Sequence, residues 1–196
     1  YKLESLTSLT LSRCNITDID FEILIHLEYL SFEDIMNSSN VVQLPKIRKL
    51  KSIRSNLIFK NLKQIETLES LTLVKPYFRK FPELPNICEL SYYSFFWWWN
   101  HRSYENLASL NQLKFLKLRK ETQTFPSTLS QLTNLNTLDI SKATLQKTVD
   151  QETVLSLLNH LETITIRHVQ RDLFSSIAPP YVRIKPFEPI NKHLKK

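Results

Sequence analysis

The pattern L-x-x-L-x-L recurs along the chain, and self-similarity at a period of about 20 to 50 residues constrains a fold more than any local propensity does. It stands as "LTSLTL" from Leu6, "LEYLSF" from Leu27, "IRKLKS" from Ile47, "LESLTL" from Leu68, "ICELSY" from Ile87, "LKFLKL" from Leu113, "LNTLDI" from Leu135 and "LETITI" from Leu161. The starts lie 21, 20, 21, 19, 26, 22 and 26 residues apart, and only Ser52 breaks the apolar set. Apolar and polar residues alternate within each copy, which is the signature of a short strand with one buried face. The first, fourth and sixth positions face a core; the third, fifth and seventh face away. No copy buries its apolar side alone, so neighbours must stack, and strands joined by return segments of this length run parallel.

The return segments differ in kind. "TDIDFEILIHL" offers a cap at Thr17 or Asp18 and spaces Ile19, Ile23 and Leu27 four apart, which predicts a helical turn or more. "FKNLKQIETL" reads similarly, and "VDQETVLSLLNHL" predicts a helix of about three turns from Gln151. Pro82, Pro85 and Pro126 leave "KFPELPNI" and "TFPSTLSQLTNL" room only for short or 3₁₀ returns. The chain has no glycine, so turns needing a positive φ are expected to fall to Asn and Asp. Residues 1–178 form the array of about eight repeats. Residues 179–196 add a terminal strand around Tyr181 to Ile184, closed off by Pro179, Pro180 and Pro186, and a basic tail. The chain opens on Tyr1 without a polar cap before the first repeat, so a preceding domain or further repeats are expected upstream.

The residues after the first template, "LTSLTLSRCNITDID", follow L-x-x-L-x-L-x-x-(N/C)-x-(L/I), and from Leu6 to His168 the chain resembles the leucine-rich repeats. The resemblance implies an α/β fold: a right-handed solenoid with a parallel β-sheet on its concave side and mixed helical and 3₁₀ returns on its convex side. It also implies that Cys14 donates a hydrogen bond to neighbouring loop backbone. "CNITD" resembles the cysteine-containing repeat of F-box proteins, the substrate-recognition arms of ubiquitin ligases. "FPSTLSQLTNLNTLDIS" looks more like the repeats of plant receptors and intracellular immune receptors.

Catalytic footprints are missing. Without glycine there is no phosphate-cradling loop and no G-x-S-x-G elbow, no H-E-x-x-H occurs, and His26, His101, His160, His168 and His193 are scattered. Neither an enzyme nor a cofactor is expected. Cys14 and Cys88 match no metal spacing and suit a reducing, intracellular compartment, whereas the sequons at Asn15 and Asn37 would point outside the cell if used. No apolar run approaches the roughly 18 residues of a membrane span.

What remains is recognition. The outward positions place Lys49 and Lys51 in one basic row, reinforced by Arg48 and Arg54, and Lys117 and Arg119 in another, beside Phe115; Arg167 stands at the end of the eighth copy. With a net charge of +7, these rows suit an acidic or phosphate-bearing ligand, although exposed strand positions favour Lys, Thr and Ser in any case. The run "SYYSFFWWWNHRSY" contains every tryptophan of the chain. Register assigns Tyr92, Phe95 and Trp97 to packing. Tyr93, Phe96, Trp98 and Trp99 are left as a contact surface or as a seat against another domain, because neighbouring side chains diverge on any regular element. The sequence therefore predicts a non-catalytic protein-interaction arm, with a nucleic-acid or phospho-ligand surface as the alternative.

Overall fold

A computed structural model describes residues 5–36, 41–55, 57–59, 61–74, 84, 86–93, 107–119, 127–141, 149–167 and 170–187. Each L-x-x-L-x-L copy forms a strand that begins on its third residue and, except in β9, runs to its seventh: β1 (Ser8–Ser12), β2 (Tyr29–Glu33), β4 (Lys49–Ile53), β6 (Ser70–Val74), β7 (Glu89–Tyr93), β8 (Phe115–Arg119), β9 (Thr137–Asp139) and β10 (Thr163–Arg167). A ninth strand, β11 (Arg183–Phe187), follows without a template copy. All nine pair in parallel in the order β1-β2-β4-β6-β7-β8-β9-β10-β11. Equivalent template positions face one another throughout, as in Leu30↔Leu50 and Leu90↔Leu116. The pairing β3 (Val41–Val42) with β5 (Ile58–Phe59) makes a second, two-stranded parallel sheet within the returns.

A backbone device repeats with the strands. The carbonyl just ahead of a strand accepts two successive amides from the next: Thr7 O takes Glu28 N and Tyr29 N at 2.9 and 3.1 Å, and Lys114 O takes Asn136 N and Thr137 N at 2.9 Å each. Glu28, Arg48, Glu69, Cys88 and Asn136 do the same with unrelated side chains. Main-chain pairing, not residue identity, sets the register there.

The core is built in columns. Template positions one, four and six are buried from the second copy onward, for example Leu68, Leu71 and Leu73, each of them worth about 1.5–3 kcal/mol when removed from water. Leu6, Leu9 and Leu11 are only partly buried, because β1 has a neighbour on one side alone. A further column lies three residues before each copy from the second onward: Leu24, Leu44, Ile65, Leu84, Leu110, Leu132 and Leu158. Six of these carbonyls accept the amide three residues on, at 2.9–3.3 Å.

This three-residue spacing corrects the expected helix over Thr17 to Leu27. Phe21, Leu24 and Leu27 are buried while Ile19 and Ile23 are 38% and 53% exposed, so the segment descends in successive tight turns. Period three matches 3₁₀ geometry, whereas the four-residue spacing of Ile19, Ile23 and Leu27 does not describe the buried face. Short 3₁₀ helices occupy Leu62–Gln64 and Ser127–Gln131 in two other returns. The helix expected from Gln151 is present as α1 (Val149–Ser156), about two turns in place of three. A helix not foreseen, α2 (Arg171–Ile177), seats Phe174 and Ile177, three residues apart, in the core. Pro186 does not stop the last strand; it lies inside β11 opposite Ile166. β11 is the outermost strand, where a missing backbone N–H is tolerated.

Among the described residues, positive φ falls on Arg13 (50°), Asp34 (56°) and Arg54 (46°); Asp34 fits the Asn or Asp expected and the two arginines do not. Each directly follows a strand, and their amides donate to Glu33 O, Ile53 O and Val74 O at 3.0, 2.9 and 2.8 Å. The inter-repeat bond holds the conformation. Cys14 also departs from expectation: it is exposed, and Ser55 takes the bridging role at the equivalent position two repeats on. The Ser55 hydroxyl donates to Ile53 O at 2.9 Å and accepts Ile35 N at 3.1 Å.

Candidate protein-interaction face

Alternation places positions three, five and seven of every strand on the side of the sheet away from the core, and parallel register lines them up in three rows. The seventh-position row carries Ile53, Val74 and Tyr93 on the adjacent strands β4, β6 and β7, all half-buried. Outward positions on the other strands are mostly hydroxyl or charged residues, so these three adjoining side chains form an apolar seat. Phe115 adds a half-buried ring from β8 in the third-position row.

Ion pairs flank the seat on both sides. On β2 and β4, Lys51 Nζ meets Glu33 Oε1 at 2.9 Å, over a fully buried Ser31. The Glu33 bond is the main reason the Lys51 ammonium is held above its ordinary value, against the opposing effect of burial. At the strand ends, Asp34 lies between Arg54 (2.5 and 2.8 Å) and Arg13 (3.4 Å). The hydrogen bonds from Arg54 lead in pulling the Asp34 carboxyl down to about 2. Beyond Tyr93, Lys117 is bonded to Asp139, whose Oδ1 also accepts the amide and hydroxyl of Ser141 at 3.0 and 2.6 Å. Burial works to lower Lys117, but its bonds to Asp139 and the Tyr93 hydroxyl outweigh that and raise it. Asp139 and Ser141 are buried, so this end of the face is a fixed polar cluster.

The predicted site residues separate under this geometry. Tyr93, Phe115 and Lys117 come together on β7 and β8, and the backbone places Arg119 across from Tyr93 at the end of β8. Lys51 belongs to the Glu33 pair, Lys49 is exposed one row away, and Arg167 is exposed at the end of β10, three strands from Tyr93. Arg48, expected to reinforce the first basic row, is engaged by Glu69 at 2.9 Å, and Arg54 by Asp34. Lys51, Lys117, Arg48 and Arg54 are thus each paired with a carboxylate. Tyr92 is buried as register required; Phe95, Phe96, Trp97, Trp98 and Trp99 lie outside the described residues. Ile53 and Val74 were not singled out from sequence, although an apolar residue at a seventh position was a readable signal.

Among the described residues, no group of three His, Cys, Asp or Glu is placed to hold a metal ion, and no helix is long and apolar enough to cross a membrane. His26 and His160 are exposed.

No protein-family model and no curated protein matches the chain. Solved structures do. Listeria monocytogenes InlP is similar over 84% of this chain and 56% of its own, with a TM-score of 0.55 and 17% identity. Human 5T4 (Wnt-activated inhibitory factor 1, trophoblast glycoprotein) matches over 91% and 68%, with a TM-score of 0.44 and 15% identity. A chain from the octameric complex of latrophilin 3, Unc5D and the leucine-rich-repeat part of FLRT2 matches over 95% and 72%, at 0.43 and 17%. This chain spans little more than half the length of the InlP structure. At such identities the likeness is one of fold.

Proposed function

From the premise that this chain is a leucine-rich-repeat solenoid, we propose that it is a non-catalytic protein-interaction module that docks a partner on the outward face of β4 to β8. The observation that carries this reading is the adjacency of Ile53, Val74 and Tyr93 between two sets of ion-paired residues. Binding sites concentrate their energy in a small apolar and aromatic centre that a polar rim shields from water. Pre-formed ion pairs supply such a rim without leaving a buried charge uncompensated when the partner arrives. Phe96, Trp98 and Trp99 follow Tyr93 by three to six residues, within about 21 Å of extended chain, and we assign them to the same surface.

Engagement of Lys51, Lys117, Arg48 and Arg54 by carboxylates favours a protein partner over nucleic acid, which needs cations free to displace counterions. A duplex or single-stranded oligonucleotide is therefore expected to show no retention at about 50 mM salt, and tight binding that falls steeply toward 200 mM would support the nucleic-acid reading instead. Both Cys14 and Cys88 are free thiols, which suits a reducing, intracellular setting. A ubiquitin-ligase substrate arm or an immune-receptor arm is the fuller setting we propose from the repeat resemblances. The exposure of Cys14 argues against the hydrogen-bonding role that the leucine-rich-repeat resemblance implied. Tyr93→Ala, tested against a partner identified with the unaltered chain, is expected to weaken binding at least about tenfold, which is 1.4 kcal/mol. Lys49→Ala, off the seat, is expected to leave it unchanged; equal losses in both would count against a localised seat.

A further inference from the structure

A groove of about 530 Å³ crosses the starts of β8, β9 and β10 and ends at Tyr181, ahead of β11. Its lining repeats with the strands. Gln112, Asn134 and His160 each stand one residue before the first leucine of a copy, and Lys114, Asn136 and Glu162 one residue after it. Successive strands advance both rows by about 4.8 Å. Over β1 to β7 a comparable groove of about 510 Å³ has five charged residues among the ten in its lining, and there Arg48 and Glu69 are bonded to each other. In the groove at Tyr181, the side chains of Gln112, Lys114, His160, Glu162 and Tyr181 have no bonded partner among the described residues. Two amides are held in place. Asn134 Nδ2 donates to Asn111 O at 2.6 Å, which leaves its Oδ1 as an acceptor, and Asn136 Oδ1 accepts the Thr137 hydroxyl at 3.0 Å, which leaves its Nδ2 as a donor.

We propose that this groove binds a neutral saccharide, independently of the seat on β4 to β8. One lysine and one glutamate leave the lining without net charge, so a phosphate or polyanion gains little there. Amides, a carboxylate, an ammonium and an imidazole present donors and acceptors side by side, which suits hydroxyl groups that both donate and accept. Fixed amides reduce the side-chain ordering that binding would otherwise cost. An extended peptide presents equivalent main-chain groups about every 6.6–6.8 Å, two residues of strand, and falls out of step with rows about 4.8 Å apart. Tyr181, 58% exposed, offers a flat apolar ring with a polar tip against which the C–H face of a sugar packs. The volume lies within the roughly 300–1,000 Å³ of small-molecule sites.

Amide spectra of the full ¹⁵N-labelled chain test this with glucose, galactose, N-acetylglucosamine and lactose, each at about 20 mM, some twentyfold above a Kd of about 1 mM. A neutral Gly-Ser hexapeptide and inorganic phosphate represent the competing chemistries. At least one sugar is expected to shift signals confined to residues 111–114, 134–137, 159–162 and 181, and Asn136→Ala and Tyr181→Ala are each expected to weaken it at least tenfold. Should Asn136→Ala fail to fold, the surface variant Tyr181→Ala decides. Val74→Glu is expected to leave sugar binding unaltered. The proposal is overturned if no sugar shifts the groove, if binding survives Tyr181→Ala, or if peptide or phosphate alone perturbs these residues.

Discussion

Asp34 adopts a left-handed backbone, which costs a residue with a Cβ about 1–2 kcal/mol. In a chain without glycine, that cost falls, among the described residues, at three equivalent positions after strands. Their amides bond to the next repeat, and Asp34 sits between the guanidinium groups of Arg13 and Arg54. The Asp34 carboxyl is lowered from 3.8 to about 2, so in acid the unfolded chain takes up the proton first. The contribution of the pair is complete above about pH 5 and is lost as pH falls through 2. Asp34→Asn keeps a residue that tolerates the left-handed region and removes the charge. Its urea midpoint is expected below that of the unaltered chain at pH 7, with the gap narrowing below about pH 5 and closing as pH falls through 2. A gap that stays constant over that range would exclude the ion pair as its source. Sequence alone did not show this arrangement, because the partners lie about 20 residues apart and meet only across the repeat. Asn and Asp were the expected occupants on propensity; Asp34 meets that expectation, and Arg13 and Arg54 stand where only pairing between repeats accounts for an arginine.

The strands were legible at the scale of elements because two periodicities coincide: alternation within each copy and recurrence of the copy itself. The third, fifth and seventh template positions fall on the strands that the register implies, except in the seventh copy, where β9 ends at Asp139 and leaves Ser141 beyond it. The returns were less legible. From Asp18 to Leu27 the apolar residues fit a spacing of four through Ile19 and Ile23 and a spacing of three through Phe21 and Leu24, and sequence pattern alone does not decide between them. Stacking decides, since Phe21 packs edge-on against Phe32 at 5.6 Å between ring centroids. Leu24→Ala is therefore expected to cost about 2–5 kcal/mol as a core cavity, and Ile23→Ala within about 0.5 kcal/mol as a surface change. Chemical denaturation of the two variants measures both, and the reverse ranking would restore the four-residue helix. α2 escaped notice because "RDLFSSI" follows the last template copy and carries only two core residues.

For the whole molecule, the net charge of +7 does not stand as free cations on the two basic rows, because Lys51 and Lys117 are each tied to a carboxylate on a neighbouring strand. Sequence reading found the rows and not the partners: Glu33 and Asp139 come from adjacent repeats, and ion pairing between repeats leaves no mark on either template. What those pairs enclose is the apolar seat, which parallel register assembles from three strands separated by 21 and 19 residues at their seventh positions. Partner binding is proposed to centre on that seat. Its most direct test is the affinity of an identified partner for Val74→Glu, measured beside Ile23→Glu as an exposed control on a return, with thermal unfolding confirming that both variants fold. A loss of at least about a hundredfold, 2.8 kcal/mol, in Val74→Glu with full affinity in Ile23→Glu is the predicted result; unchanged affinity in a folded Val74→Glu would contradict it.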